Sequence, residues 1–205
     1  MFNKKILASA ISILTALSMM GAATFAYFSD TGTSSNNTFS TGTLDLKLSD
    51  EAVNGGTLET DQNSVTSSFG SGSLVPGSCT GNQTLTLKNT GTVPANHAEV
   101  HLANVVTDNG TAANPDIDKF LRINLLTYDT SDIISQIANS NSTSFIDLAD
   151  WAASATALDN LALANLGTDH LLVMDVCLDS TAGDTLQGDS VVSTFTVDLN
   201  QDSSQ

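Results

Sequence analysis

An alternation of apolar and polar residues with a period of two is the feature that most restricts the fold of this chain. Leucines alternate with polar residues over 43–48, TLDLKL, and again over 83–88, QTLTLK. Successive side chains of an extended strand point to opposite faces, so the pattern predicts strands with one buried face. Further apolar runs of strand length predict four more strands, at 97–106, 122–128, 171–178 and 191–199.

Turn-forming residues separate the predicted strands. Glycine, proline and asparagine cluster at 54–56, 75–77, 89–91, 109–110 and 188–189. These residues permit the backbone conformations that tight turns require. Many short strands that each have one polar face predict a mainly β fold, either a sandwich or a barrel.

Two segments predict short helices in the connections. Residues 114–116, Asn-Pro-Asp, have the composition of a helix start, and apolar residues at helical spacing follow them. Residues 145–166 are rich in alanine and leucine and stop before Gly167. They predict one or two helices, with Trp151 as a packing anchor.

The first 26 residues have the pattern of a secretory signal peptide. Two lysines at 4–5 precede an uncharged, apolar stretch at 6–20, and small side chains lie near Ala26. We therefore expect cleavage between Ala26 and Tyr27. The alternative is a retained membrane anchor at 6–28, although serine, threonine and glycine dilute the apolar character of that stretch.

The charge of the predicted mature chain excludes some classes of partner. All 22 acidic residues but only four of the six lysines and arginines follow residue 26, which leaves a net charge of −18. Such a surface repels nucleic acids and anionic membranes. The acidity suits a salty or cation-rich medium, and solubility alone would also explain it.

Cys79 and Cys177 are the two cysteines of the chain. In an exported protein an even number of cysteines predicts disulfide bonds, and two cysteines allow one intramolecular pairing. Two buried thiols, or a bridge between subunits, remain as alternatives.

The sequence HAEVH brings His97, Glu99 and His101 close together in the chain. On the predicted strand, a rise of about 3.3 Å per residue separates the two histidines by roughly 13 Å. Zinc requires each nitrogen at about 2.1 Å, so both histidines cannot bind one ion. We therefore expect an exposed polar strand face here, no metal site and no cofactor, and we expect His170 in a loop or at a strand edge.

Other sequence patterns are less specific. There is no H-E-x-x-H, G-x-S-x-G or phosphate-binding motif, so no catalytic residue is predicted. Acidic clusters at 108–118 and 179–189 lack the spacing of a calcium loop, and turn formation explains them. Four asparagines begin N-x-[ST] sequons at which glycosylation is permitted: Asn36, Asn82, Asn109 and Asn141.

Two N-terminal motifs, AYFSD at 26–30 and NTFSTGTLDL at 37–46, resemble those of the TasA/camelysin family of secreted fibre proteins. The family shares an A-[YFW]-F-[SN]-D start, here AYFSD at 26–30, and an [NT]-x-F-x-[SAT]-G-T-L-D-L segment, here NTFSTGTLDL at 37–46. Looser similarity continues through 74–102, 116–129 and 186–201. The resemblance covers most of the chain except its alanine-rich middle.

The resemblance implies a jelly-roll-like antiparallel β-sandwich, with a few short helices, that is exported through a dedicated signal peptidase. Residues 1–26 would be the signal peptide, 27–42 an N-terminal segment and 43–205 the sandwich domain. Family members polymerise head-to-tail into extracellular fibres of a biofilm matrix, in which other matrix components are further partners. Each subunit donates an N-terminal strand to the next, and the matching donor residues here are Tyr27, Phe28, Ser29 and Asp30.

The residues behind the aromatic pair favour this donor interpretation. Tyr27 and Phe28 are large apolar groups, whereas 29–37 is too polar to bury them. An exposed sheet edge can accept a strand from another chain and bury such side chains. The alternative is a first strand packed on its own sandwich, or a frayed terminus.

Three functions therefore remain open at this point. The first is a structural subunit of a secreted filament, which is not an enzyme. The second is a secreted camelysin-like metalloprotease, and the absence of H-E-x-x-H counts against it. The third is a surface adhesion or surface-layer module that does not polymerise.

The predicted processing site can be tested directly. Mass spectrometry of the extracellular protein should find a chain that begins at Tyr27, because small side chains precede that bond. A secreted protein that retains Met1 would contradict the prediction.

Overall fold

The computed structural model describes residues 3–23, 41–51, 57–66, 69–109 and 116–202. The chain divides into two units, residues 1–40 and residues 41–205. The described part of the first unit is one helix, α1, Lys4–Ala23. Among the described residues, no helix is both long and apolar enough to cross a membrane.

The second unit is mainly β, as the alternating sequence pattern predicts. Its described residues form eight strands: β1 Leu46–Ser49, β2 Gln83–Asn89, β3 His97–Thr107, β4 Leu121–Tyr128, β5 Ser131–Asp132, β6 Leu161–Ala162, β7 His170–Leu178 and β8 Ser190–Asn200. They build a five-stranded sheet in the order β1-β2-β7-β4-β5 and a three-stranded sheet in the order β6-β3-β8. Neighbouring strands are antiparallel in both sheets.

The inward-facing side chains of both sheets form one apolar core. In β2 the alternation is complete, because Leu85 and Leu87 are buried while their threonine neighbours are not. From the other sheet, Val100 is fully buried, and Trp151 packs beside it and donates Nε1–H to the Val100 carbonyl at 3.4 Å. The predicted role of Trp151 as a packing anchor is confirmed.

The helices in the connections are short, as the sequence predicts. The start predicted at 114–116 is followed by α2, Ile117–Phe120, which has four residues. The segment 145–166 contains one α-helix, α3, Leu148–Ala153, which confirms the prediction of one or two helices there, although most of the segment is not helical. Leucines beyond α3 enter the core from irregular backbone and from β6, and their burial therefore needs no helix.

Two buried aspartates organise the loop before α3. Asp147 and Asp150 form a reciprocal capping box at the start of the helix. The backbone N–H groups of Ser140 and Asn141 donate to Asp150 Oδ1 at 2.7 and 3.2 Å. The Asn141 amide nitrogen donates to both Asp147 oxygens at 2.9 Å. Burial raises the pKa of Asp147 above its usual value, and the hydrogen bond from Asn141 offsets only part of this rise.

The other predicted sequons differ in accessibility. Asn82 lies exposed just before β2. Asn109 is held by Asp189 Oδ1, which accepts its backbone N–H at 2.8 Å, and its side-chain amide donates to the Gly188 carbonyl at 3.1 Å. Asn36 lies outside the described residues.

Cys79 and Cys177 are joined by a disulfide bond, which confirms the predicted intramolecular pairing. Cys177 lies in β7, and the segment that carries Cys79 runs beside the end of that strand. The backbone N–H groups of Gly77 and Thr80 both donate to β7 carbonyls at 2.8 Å. The bond therefore closes a loop with a sequence separation of 98 residues.

Glycosylation should discriminate between the described sequons. In a glycosylating host we expect modification at Asn82 and little at Asn141, because the Asn141 amide nitrogen is committed to Asp147. Glycopeptide mass spectrometry would measure the occupancy of each site, and an Asn82→Gln variant is the control. Full occupancy of Asn141 in folded protein would contradict this reading of the loop.

Loss of the disulfide bond should destabilise the fold. A Cys79→Ala/Cys177→Ala variant should lose about 4 to 5 kcal/mol of unfolding free energy, because closing a long loop restricts the unfolded chain. Urea denaturation would measure this loss, with reduced and alkylated wild-type protein as the comparison. Equal urea midpoints for oxidised wild type and variant would contradict the expectation.

Candidate functional site

β8, eleven residues long, is an edge strand of the three-stranded sheet formed by the described residues. It pairs with β3 along its full length, from His97–Asn200 to Thr107–Ser190. On its other side no strand is present among the described residues. The remaining sheet edges in this part of the chain belong to β1, β5 and β6, which have four, two and two residues. Of the sheet edges that the described residues form, β8 is therefore the longest and the one that best fits a further strand.

The β8 edge lacks the features that usually prevent edge-to-edge pairing. Natural edge strands are protected by lysine, proline, bulges or short length. The β8 sequence SVVSTFTVDLN contains neither lysine nor proline, and Asp198 is its one charged residue. Its register with β3 runs without a shift. The edge is therefore without a bulge and largely uncharged, which favours the addition of a strand.

A groove lies between the sheets beneath this edge. The inward-facing β8 residues are half-buried, whereas those of β3 at Ala98 and Val100 are completely buried. A cavity of about 150 Å³ opens there. Both sheets contribute apolar side chains to its lining, including Val191, Phe195, Met174 and Val176. The core is therefore incompletely covered along β8.

The segment 69–74 forms one wall of the groove. The Phe69 ring packs edge-on against Phe195, with 5.0 Å between the ring centroids. The Trp151 ring also packs edge-on against Phe195, with 5.4 Å between the ring centroids. Gly70 N–H donates to Gln83 Oε1 at 2.6 Å, and Gln83 Nε2 donates back to the Gly70 carbonyl at 2.7 Å. These bonds hold the wall to β2.

The predicted donor residues Tyr27 to Asp30, and the cleavage site at Ala26, lie outside the described residues.

The HAEVH segment forms the first half of β3, so the strand prediction is confirmed. The expectation of an exposed polar face is wrong for His97 and Glu99, which are 3% and 8% exposed. Their side chains lie on the face of the three-stranded sheet that points away from the core. Side chains from other segments cover them there, as the contacts of Glu99 show.

Glu99 connects both histidines. Its Oε1 lies 3.1 Å from His97 Nε2 and also accepts a hydrogen bond from the Asn200 amide. Its Oε2 lies 3.4 Å from His101 Nε2. Burial raises the pKa of Glu99, but the hydrogen bonds from Asn200 and the two histidines outweigh it and hold that pKa below its usual value.

Asp159 completes this cluster from a distant part of the sequence. Ligand atoms of Glu99, His101 and Asp159 all lie within 4.8 Å of one another. Asp159 is 9% exposed, and its Oδ1 is buried without a hydrogen-bond partner among the described residues. Sequence reasoning missed Asp159 because no local spacing connects it to β3.

The other acidic and histidine residues have local roles. Asp179 Oδ1 accepts the backbone N–H of Thr181 at 2.8 Å, which supports the turn interpretation of that acidic cluster. Asp175 lies close to both cysteines, but the disulfide bond occupies their sulfurs. His170 begins β7 and is buried, stacked on Tyr128 with 5.8 Å between ring centroids.

Comparison with known proteins gives one family. No curated protein matches the chain. The family described as camelysin metallo-endopeptidase matches residues 1–205. That description implies a metal, and the donor atoms of Glu99, His101 and Asp159, with an unpartnered oxygen on Asp159, fit a divalent ion. Because the match covers the whole chain, this protein belongs to the camelysin metallo-endopeptidase family, to which its N-terminal motifs also point.

Proposed function

We propose that this protein is the structural subunit of an extracellular filament and that each subunit donates its N-terminal segment to the next. The observation that carries this proposal is the free edge of β8 above an open groove. Strand addition at such an edge forms backbone hydrogen bonds and places alternate side chains in pockets. The donor is the segment 27–38, exposed as a new N-terminus after cleavage behind Ala26.

The dimensions of donor and acceptor agree. β8 has eleven residues, which corresponds to about 36 Å of extended chain at 3.3 Å per residue. The segment from Tyr27 to Thr38 is of similar length. One donated segment can therefore pair along the whole of β8.

The side chains of donor and acceptor are also complementary. Tyr27 and Phe28 are the large apolar groups near the start of the donor, and small polar residues follow them. The groove exposes apolar surface of Val191 and Phe195. Burying one aromatic ring there contributes about 1.5 to 3 kcal/mol. The small residues behind the aromatic pair can lie close to the edge strand without steric conflict.

Donation from one surface to a different surface produces an open chain. Such a head-to-tail contact is heterologous, and it extends into a filament unless the rotation between subunits closes a ring. The high negative charge of the subunit opposes assembly at low salt, and salt or cations in the medium would screen it. This proposal places the protein outside the cell, in a surface or matrix fibre.

A secreted metallo-endopeptidase is the second candidate, and the cluster of Glu99, His101 and Asp159 is the observation that favours it. A metallopeptidase must place a peptide bond beside its metal and its general base. The β8 groove lies on the inward face of the three-stranded sheet, whereas the cluster lies on the outward face. The two features therefore do not form one cleft. Chelator-sensitive casein cleavage that Glu99→Gln abolishes would support this candidate.

Removal of the donor should abolish filaments without unfolding the subunit. We expect filaments from the full-length secreted protein, and none from a chain that lacks residues 27–38 or carries Phe28→Asp. The aspartate would lose the buried ring and place an unpaired charge in an apolar groove. The matched control, Phe28→Leu, should still assemble. Electron microscopy and sedimentation would measure assembly, and circular dichroism would verify folding.

Cross-linking would locate the contact in the same preparation. A Ser29→Cys chain mixed with a Ser71→Cys chain should form linked species with a short bismaleimide, since Ser71 lines the groove. Ser131→Cys, on β5, is the control that should remain unlinked. Normal filaments from the truncated chain would contradict strand donation. A full-length protein that stays monomeric at every salt concentration would favour the adhesion module.

A further inference from the structure

A second candidate site lies on the outward face of the three-stranded sheet, and strand donation does not use it. Glu99 and His101 project from β3, and Asp159 comes from the connection just before β6. We propose that these three side chains bind one divalent transition-metal ion, and that zinc is the ion the donor set fits best. This inference is independent of filament formation.

The distances within the cluster agree with shared coordination. Glu99 Oε2 and His101 Nε2 are 3.4 Å apart. Two ligands that are each about 2.1 Å from a tetrahedral zinc ion are themselves separated by about 3.4 Å. A carboxylate oxygen of Asp159 lies within 4.8 Å of both. A small adjustment of one aspartate side chain would complete a site with three protein ligands.

The unpartnered oxygen of Asp159 points to a missing ligand. This carboxylate is more than nine-tenths buried, and Oδ1 has no hydrogen-bond partner among the described residues. A buried carboxylate without a partner is costly, and it lies beside a second carboxylate, that of Glu99. A bound cation would neutralise both groups. Asp159 Oδ1 is therefore the atom of the cluster for which a bound cation would supply the missing partner.

His97 has a positioning role in this site. Its Nε2 contacts Glu99 Oε1 at 3.1 Å, and Asn200 donates to the same oxygen. These contacts leave Oε2 facing His101. Partners of this kind orient the ligands of metal sites and raise their affinity. The spacing argument that excluded a shared His97–His101 ion still holds, because Asp159 supplies the third ligand instead.

The donor types select the class of metal. Calcium takes six to eight oxygen ligands, whereas this cluster offers an imidazole nitrogen and two carboxylates. Imidazole favours zinc and related transition metals. Three protein ligands would leave one position for water. We therefore expect zinc to bind and calcium not to replace it.

A metal here would fasten a weakly held edge of the sheet. β6 has two residues and pairs with β3 only at His97 and Ala98. One further backbone bond, from Val100 N–H to the Leu158 carbonyl at 3.2 Å, precedes Asp159 in the chain. An ion shared by Asp159 and β3 adds a strong contact at this point. Zinc should consequently raise the stability of the folded domain.

The test uses untagged, full-length secreted protein. After incubation with zinc and gel filtration, metal analysis should find about one zinc per chain, and zinc but not calcium should raise the melting temperature. Asp159→Asn and His101→Gln should each reduce the zinc content to near zero. His97→Gln should retain binding but weaken it about 10- to 100-fold in a titration. The control Asp184→Asn, an exposed acid in another connection, should bind like wild type.

A measurement on metal-free protein separates ligation from a structural role. Without zinc, Asp159→Asn should melt at the same temperature as wild type or higher, because it removes a buried carboxylate whose Oδ1 has no hydrogen-bond partner among the described residues. A lower melting temperature in the absence of metal, together with unchanged zinc binding, would overturn the proposal. So would a wild-type protein that retains no zinc after gel filtration.

Discussion

The pairing of β3 with β8 is the interaction on which both candidate sites depend. It extends over eleven residue pairs without a shift in register. A shift of one residue would exchange the two faces of a strand. Since Val100 and Phe195 point inward in this register while Glu99 points outward, one ladder positions the groove and the acidic-histidine cluster at once. The two sites are separate surfaces of one small sheet.

The strands could be predicted from the sequence because alternation is a local property. Each residue of 83–88 shows in its own chemistry whether it faces the core or water, and the structure follows that pattern. The helix predicted within 145–166 covers only Leu148–Ala153, because leucines that pack against a core have the same composition in irregular backbone as in a helix. Their burial is decided by the sheets around them, which the local sequence does not specify.

The candidate sites could be predicted only in part from the local sequence. Cysteine number predicted the pairing of Cys79 with Cys177, because two cysteines allow one intramolecular bond. The position of β8 at the edge of its sheet depends on the order of the described strands, which is a tertiary property. The burial of Glu99 depends on Asn200 and Asp159, which reach it only in the folded chain. A polar residue on a strand therefore indicates a solvent-facing position only while no distant segment covers it.

The length of the β3–β8 ladder also has a mechanical meaning. Hydrogen bonds between antiparallel strands run perpendicular to the strand direction. A pull along β8 therefore shears the whole ladder at once, whereas a pull across it would open the bonds one after another. Eleven paired residues loaded in parallel resist tension far better than the two-residue pairings of β5 and β6 could. The strand that is open to a partner is thus also firmly anchored against force along its axis.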